Sequence, residues 1–129
     1  MILLDEQIRD DQRDLLTGWR IRFRQIGREV AAAGIKDPDI IPWLQSLKQP
    51  TFFTHDRWFY QSQLCHPDYC LVWLDLRDVE AARFVRLLLR NPLFQTHASR
   101  LGRVVRLHHE GIDFWEKHKA RPTKLPWLS

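Results

Sequence analysis

The sequence predicts an α/β fold, a three-layer sandwich with a mainly parallel central sheet. Short apolar runs alternate along the chain with segments whose apolar residues recur at helical spacing. Several of these runs show no apolar–polar alternation, which is typical of parallel strands buried on both faces. With 129 residues and 44% hydrophobic residues, the chain is large enough for one domain with a real core. We expect that domain over residues 1–119, followed by an irregular, proline-rich tail over residues 120–129.

The first half of the chain contains three predicted strands. Residues 2–4 form a buried strand that ends at Asp5, and residues 7–17 form an exposed helix stopped by Gly18. Residues 19–26 alternate apolar and basic side chains, which predicts a strand with one face in water. The segments that follow are a loop with one helical turn over residues 27–39, a short helix over 40–48 and a strand over 51–54.

The second half begins with an apolar strand over residues 70–76 and the longest predicted helix, over 77–90. Asn91-Pro92 ends this helix. The apolar face of the helix is formed by Val79, Ala82, Phe84, Val85, Leu88 and Leu89. After it we expect a short helix near residues 93–100, a strand over 102–109 and a hairpin partner over 110–118.

Composition favours a cytoplasmic protein with no membrane partner. The N-terminus turns acidic too early for a signal peptide, and no apolar run approaches the roughly 18 residues of a membrane span. Cys65 and Cys70 are predicted to be ordinary thiols, because the segment CHPDYC crowds its four potential zinc ligands into six residues. The net charge of +4, carried mainly by arginine, suits a polyanionic partner.

Carboxylates follow the first and third predicted strands, at Asp5 and Asp56. The carboxyl ends of parallel strands meet at one edge of a sheet, so these two acids converge on one crevice if their strands are neighbours. A third acid comes from the segment KDPD. Either Asp37 or Asp39 can cap the helix that begins near Ile40, which leaves the other free to point into the crevice.

Three carboxylates in one crevice repel each other unless a cation neutralises them. Oxygen-rich sites of this kind suit Mg²⁺ or Mn²⁺, and such an ion can activate a water for attack on a phosphodiester. Arginines would then hold the nucleic acid. The best basic stripe is Arg20, Arg22 and Arg24, placed on one face of the predicted strand, and Arg57 follows Asp56 directly. The alternative for the stripe is a solvated edge-strand face.

Other residues near the predicted crevice have two interpretations each. Glu6 can reach the crevice or face water in the first helical turn. Asp75 is either a fourth acid at the same edge or a plain strand-end residue that caps the next helix. The aromatic residues Trp58, Phe59 and Tyr60 can stack on bases, but sealing the core is the favoured interpretation.

The stretches ILLDE and GIKDPDIIPWLQSLKQPTFFTHDRWFY resemble the compact PIN-like family, relatives of the VapC-type toxin nucleases. In that family a strand ends in Asp, an Asp precedes a short helix, and the next strand ends in Thr-x-Asp followed by an aromatic residue. The resemblance covers residues 1–60 well and continues more loosely through CLVWLDL and the next helix. It implies that Asp5, Asp37 and Asp56 are catalytic metal ligands and that Thr54 orients the loop of the last one.

The resemblance also implies a Rossmann-like PIN domain over residues 1–119 and a Mg²⁺- or Mn²⁺-dependent endoribonuclease. Toxin members of the family pair with an antitoxin protein, and a homodimer is a further candidate assembly. A rival hypothesis is a non-catalytic PIN-like binding or assembly protein. It arises because larger members carry a further Glu on a helix, and the only counterpart, Glu29, lies in a predicted loop. A phosphate-handling enzyme of another α/β family is disfavoured, because no Gly-rich phosphate loop is present.

Overall fold

The computed structural model describes residues 1–30, 34–35 and 37–127. In this part of the chain seven strands form one sheet in the order β2-β1-β3-β4-β5-β6-β7. The strands β1 to β5 pair in parallel, whereas β6 and β7 are antiparallel additions. The predicted α/β class with a mainly parallel sheet is therefore confirmed. The strands are β1 Ile2–Leu4, β2 Arg24–Gln25, β3 Thr51–Thr54, β4 Cys70–Leu74, β5 Arg103–His108, β6 Gly111–Glu116 and β7 Thr123–Pro126.

Four α-helices lie in the described residues, and none of them is long and apolar enough to cross a membrane. The long predicted helix is present as α3 with a 3-10 turn, Asp78–Glu80, in front of it. Asn91 caps its end, as expected from the Asn-Pro pair. The helices are α1 Asp10–Gly18, α2 Asp37–Gln45, α3 Ala81–Arg90 and α4 His97–Arg100.

The parallel strands bury side chains on both faces of the sheet, because successive residues of a strand point to opposite sides. On one face α1 and α3 cover the sheet, and this core includes Leu4, Phe53, Val72, Leu16 and Val85. On the other face α2 covers it, and this core includes Leu3, Phe52, Leu71, Ile40 and Leu44. Helices therefore flank both faces of the sheet, and each face has its own hydrophobic core.

Strand register brings the ends of β1 and β3 together. Leu4 lies opposite Phe53, and the backbone N–H of Asp5 donates to the Phe53 carbonyl at 2.9 Å. The first strand of the chain and the strand that precedes His55 are therefore neighbours. Their carboxyl ends form one edge of the sheet, which is the condition for Asp5 and Asp56 to meet.

The predicted strand over residues 19–26 is wrong except at its end. Only Arg24–Gln25 pairs with β1. Arg20 adopts a left-handed backbone conformation with φ of 61° after α1, which turns the chain sharply. The apolar members of the pattern, Trp19, Ile21 and Phe23, pack against the α1–α3 core from irregular backbone. The period-2 pattern thus reflects alternating burial without strand pairing, and the predicted arginine stripe does not lie on one strand face.

Helix α2 begins at Asp37, before the predicted start near residue 40. Asp39 lies inside its first turn, so Asp39 as the N-cap residue is wrong. Acidic residues in a first turn are favoured by the helix dipole, and Pro38 is tolerated there because the early N–H groups have no helical partner. Pro42 lies inside the helix. Residues 31–33 and 36 of the predicted 27–39 loop lie outside the described residues.

The predicted irregular tail is wrong for residues 123–126, which form the edge strand β7 against β6. Trp127 follows, and its indole N–H donates to the His108 carbonyl at 2.6 Å. Its ring packs against Phe84 of α3 with the centroids 5.5 Å apart. Prolines made this segment resemble a loop, but an edge strand tolerates proline because one side of it needs no ladder hydrogen bonds.

Candidate metal site

Asp5 stands at the carboxyl end of β1 and is 5% exposed. One carboxylate oxygen accepts the Glu6 backbone N–H at 2.8 Å, and the other accepts the Thr54 hydroxyl at 2.6 Å. Burial raises the pKa of Asp5, and the charges of Glu6 and Asp56 add to this effect, while the two hydrogen bonds oppose it. A buried acid with an elevated pKa among other acids is typical of functional sites.

Thr54 connects Asp5 to Asp56. Its buried hydroxyl donates to Asp5 and accepts the backbone N–H of Asp56 at 3.0 Å. The hydroxyl therefore holds the carboxylate of one acid and the start of the turn that carries the other.

Asp56 lies in front of the 3-10 turn Arg57–Phe59 and caps it. One side-chain oxygen accepts the Trp58 backbone N–H at 2.9 Å. Capping uses one of the two carboxylate oxygens, so a capping role and a place in the acidic crevice are compatible for this residue.

Asp37 approaches Asp56 from the first turn of α2. A hydrogen bond between the two carboxyl groups, followed by burial and by the charges of Asp56 and Asp5, raises the pKa of Asp37 to about 6. Two carboxyl groups this close share a proton more readily than they both ionise. Asp39 is exposed and is not among the charges that act on Asp5 or Asp37. Of the two alternatives, Asp37 is therefore the one that lies in the crevice.

The two additional predicted acids have different surroundings. Glu6 borders the crevice, because its two oxygens accept the Gly34 backbone N–H at 3.2 and 3.0 Å and its charge acts on Asp5. Asp75 belongs to another cluster. One of its oxygens accepts from Nε and Nη2 of Arg106 at 2.9 and 2.7 Å, and its charge is not among the causes of the Asp5 or Asp37 shifts.

The predicted nucleic-acid contacts separate in the fold. Arg57 follows Asp56 directly in the chain, and its guanidinium lies 5.9 Å from the Trp73 ring. Arg20, Arg22 and Arg24 are exposed near the opposite, amino edge of the sheet, because Arg24 begins β2 and β2 runs parallel to β1. They therefore do not line the acidic crevice.

The aromatic residues after Asp56 have divided roles. Phe59 is buried and meets Phe52 edge to face at 5.2 Å, as expected for a residue that seals the core. Trp58 is 36% exposed. Tyr60 is half-buried, and its ring centroid lies 5.7 Å from that of Trp73.

A cavity of about 460 Å³, which the sequence did not predict, lies beside Arg57. It is lined by Arg57, Tyr60, Trp73, Asp75 and Arg106. Trp73 and Arg106 are register partners on β4 and β5, and the guanidinium lies 5.5 Å from the indole ring. In the sequence the two residues are a large amphipathic and a charged side chain within apolar strands, which becomes informative only when the strand pairing is known.

The carboxylates at this edge fit a hard divalent cation. Asp5, Asp37 and Asp56 offer only oxygen donors. The pKa of Asp5 is raised mainly by burial and that of Asp37 mainly by its hydrogen bond with Asp56, and the charges of neighbouring acids add to both shifts. Over residues 1–30, 34–35 and 37–127, no three His, Cys, Asp or Glu side chains are arranged to coordinate one ion. Both oxygens of Asp5 and one of Asp56 accept from protein donors. Coordination therefore requires the carboxyl groups to reorient, and below about pH 6 it also requires Asp37 to lose its proton.

Comparison with protein-family models, with curated proteins and with solved structures finds no match for this chain. Its function is therefore inferred from the chemistry of the acidic crevice and the surfaces around it.

Replacing Asp37 with Asn is expected to stabilise the protein near pH 7.5 and to have little effect near pH 4. The pKa of Asp37 is about 6 in the fold and ordinarily 3.8, so the folded state holds this proton more tightly than the unfolded chain does. The resulting stabilisation is fully present below about pH 4 and is lost as the pH rises through about 6. Asn imitates the protonated form and keeps the benefit at neutral pH.

Urea unfolding in a chelating buffer at both pH values measures this difference. Asp39→Asn is the matched control, because it removes the same charge from the same helical turn at an exposed position. The control is expected to show no comparable dependence on pH. An Asp37→Asn effect of equal size at both pH values would show that the carboxyl pair is not responsible.

Proposed function

We propose that the protein is a metal-dependent endoribonuclease of the PIN-like type, in which Asp5, Asp37 and Asp56 hold Mg²⁺ or Mn²⁺. One observation carries the proposal: the acids are linked in series, Asp5 through the Thr54 hydroxyl to Asp56, and Asp56 to Asp37. Clustered carboxylates oppose folding when they ionise, and a divalent cation is the ligand that relieves the repulsion.

The resemblance to the PIN-like family supports the same assignment. Asp5, Asp37 and Asp56 stand at the positions that the family motif gives to metal ligands, and Thr54 stands at the orienting position. The α/β fold with a mainly parallel sheet is compatible with this family. For toxin members the implied partner is an antitoxin protein, and a second copy of the chain is a further candidate partner.

The roles of the protein groups follow from their contacts. When bound, the ion lowers the pKa of a water and neutralises charge on the phosphate. Thr54 limits the rotation of the Asp5 carboxylate, and the cap to the Trp58 N–H limits that of Asp56. These contacts hold the two carboxylates at the sheet edge, from which they must reorient to bind an ion.

RNA is the substrate class that the neighbouring surface favours. Arg57, adjacent to Asp56 in the chain, is placed to hold a phosphate group near the acids. Tyr60 and Trp73, in the cavity beside it, offer aromatic faces on which an unpaired base can stack. Single-stranded RNA exposes its phosphates and its unpaired bases at once, whereas the bases of a duplex are stacked inside it.

The second candidate is a non-catalytic PIN-like protein that binds or assembles with a partner. It is favoured by the engagement of Glu29, whose carboxylate pairs with Arg13 at 3.0 Å and accepts the Gln25 backbone N–H, so it is not directed to the acids. The lack of a ready-made ligand triad in the described ranges points the same way.

Titration calorimetry with Mn²⁺ separates these two candidates. We expect the wild-type protein to bind Mn²⁺ with a dissociation constant on the order of micromolar, and to gain about 2.7 kcal/mol in unfolding free energy at a hundredfold excess over that constant. Asp5→Asn is expected to lose both effects. Asp14→Asn, which removes an exposed carboxylate from α1, is the control and should bind as the wild type does. A wild-type protein that takes up no Mn²⁺ would leave only the non-catalytic candidate.

A further inference from the structure

A separate cavity of about 410 Å³ lies at the amino edge of the sheet, where β1 begins. This volume falls in the range of small-molecule sites. Its lining combines apolar side chains, among them Ile21 and Leu89, with the basic side chains of Arg22, Arg24, His97 and Arg100. None of the described residues that line it is acidic. The cavity therefore combines an apolar surface with an excess of positive charge.

Arg100 is the central observation, because it is a buried cation with no carboxylate partner among the described residues. Its side chain is 2% exposed. Its nitrogens donate to the Thr51 hydroxyl and the Phe94 carbonyl, each at 2.8 Å, and to Nδ1 of His97 at 2.7 Å. All three acceptors are neutral in this arrangement. Buried charges in proteins are normally paired, so the positive charge of Arg100 remains uncompensated beside the cavity.

His97 adds a hydrogen-bond donor to the lining of the cavity. Because Nδ1 accepts from Arg100 and also lies 2.8 Å from the N-terminal ammonium of Met1, the ring proton of neutral His97 is on Nε2. Burial and the neighbouring positive charges lower the pKa of His97, which favours this neutral form. His97 is exposed and lines the cavity, so its Nε2–H is a donor available to a ligand.

Arg22 and Arg24 add two guanidinium groups to the lining, Arg22 from the segment that connects α1 to β2 and Arg24 from the start of β2. Both are exposed, and neither takes part in any of the ion pairs found among the described residues. Their guanidinium groups are thus available to a ligand. An arginine fork matches a carboxylate or a phosphate with two parallel hydrogen bonds.

We propose that this cavity binds a small amphipathic anion, with one carboxylate or phosphate group joined to an apolar body. Arg22 and Arg24 contact the anionic group within the field of Arg100, and the apolar body packs against Ile21 and Leu89. A concave wall with a buried charge suits a compact ligand better than an RNA backbone, whose charges repeat along an open surface. The acids lie at the other edge of the sheet, so this site does not depend on nuclease activity.

Ligand-observed NMR and calorimetric titration with four probes test the site: hexyl phosphate, hexanoate, hexanol and inorganic phosphate. We expect the two amphipathic anions to bind more tightly than hexanol or inorganic phosphate. Arg24→Gln should weaken hexyl phosphate binding about tenfold, and the double variant Arg22→Gln/Arg24→Gln about a hundredfold, because each removes a charge-assisted contact. Arg20→Gln is the matched control, since it removes the same charge from the same segment outside this cavity.

Three outcomes would overturn the proposal. Hexanol that binds as well as hexanoate would show that the charge has no role. Equal weakening by Arg20→Gln and Arg24→Gln would reduce the effect to overall charge. Displacement of hexyl phosphate by an RNA oligonucleotide, lost in the double variant, would assign these arginines to nucleic acid. Circular dichroism of the variants, whose altered side chains are exposed, confirms that each result refers to the folded protein.

Discussion

Asp56→Asn is expected to reduce Mg²⁺-dependent RNA cleavage at least about a hundredfold while the fold stays intact. Even residues that only support a metal ligand change affinity or activity by about 10- to 100-fold when altered, so loss of a direct ligand charge should cost no less. The substitution is mild for the fold. The Asn side-chain oxygen can still accept the Trp58 N–H that caps the 3-10 turn, as Asp56 does at 2.9 Å.

The experiment uses a fluorescently labelled single-stranded RNA with Mg²⁺, with Mn²⁺ or with a chelator. Asp14→Asn, purified in the same way, controls for contaminating nucleases and for the loss of one surface carboxylate. Thermal unfolding of each variant verifies that a loss of cleavage does not reflect a loss of structure. Cleavage that persists in Asp56→Asn, or that ignores the chelator, would remove this acid from the proposed mechanism.

Gly111→Ala is expected to destabilise the protein by about 3 kcal/mol, because β7 has no room for a side chain at this position. A Cβ atom on Gly111 would lie 2.0 Å from the backbone carbonyl oxygen of Leu125. Backbone cannot rotate away as a side chain does, so β6 and β7 must separate. When the two strands separate, the contacts of Trp127 with His108 and Phe84 should weaken as well.

Urea unfolding gives the change in free energy, and hydrogen exchange shows whether the backbone amides of β7 lose protection. Gly18→Ala is the matched control, since a Cβ there meets no atom within 4 Å. Ala restricts the unfolded chain more than Gly, so the control is expected to be neutral or to stabilise by up to about 1 kcal/mol. If both variants have equal stability, the close approach of β6 and β7 is not present in solution.

The elements predicted correctly are those whose pattern is local. The strand at residues 51–54, the long helix before Asn91 and the hairpin that includes residues 102–118 carry their own periodicity, and all are present as β3, α3 and the β5–β6 pair. The segment at 19–26 shows where such reasoning fails. Its alternating burial arises because Ile21 and Phe23 pack against the edge of a core built by α1 and α3, and that core is distant in sequence.

The edge strand β7 was not predicted from the sequence, for a related reason. Residues 123–126 have no apolar alternation and contain a proline, so nothing local predicts a strand. Pairing with β6 makes this segment a strand, and Trp127, which follows it, packs against Phe84 of α3. An edge strand of this kind is defined by its neighbour more than by its own residues.

Composition and local pattern were sufficient to predict an α/β chain with acids following its strands. Tertiary structure decided which of those acids meet. Pairing of β1 with β3 places Asp5 beside Thr54 and Asp56. The start of α2 brings Asp37, and not Asp39, to these acids. Asp75 is instead paired with Arg106. The tertiary structure also places Arg22 and Arg24 away from the acids, at the cavity beside Arg100. The physical reason is that periodicity reports which side of an element is buried, whereas the distance between two side chains depends on strand order and register, which no local pattern contains.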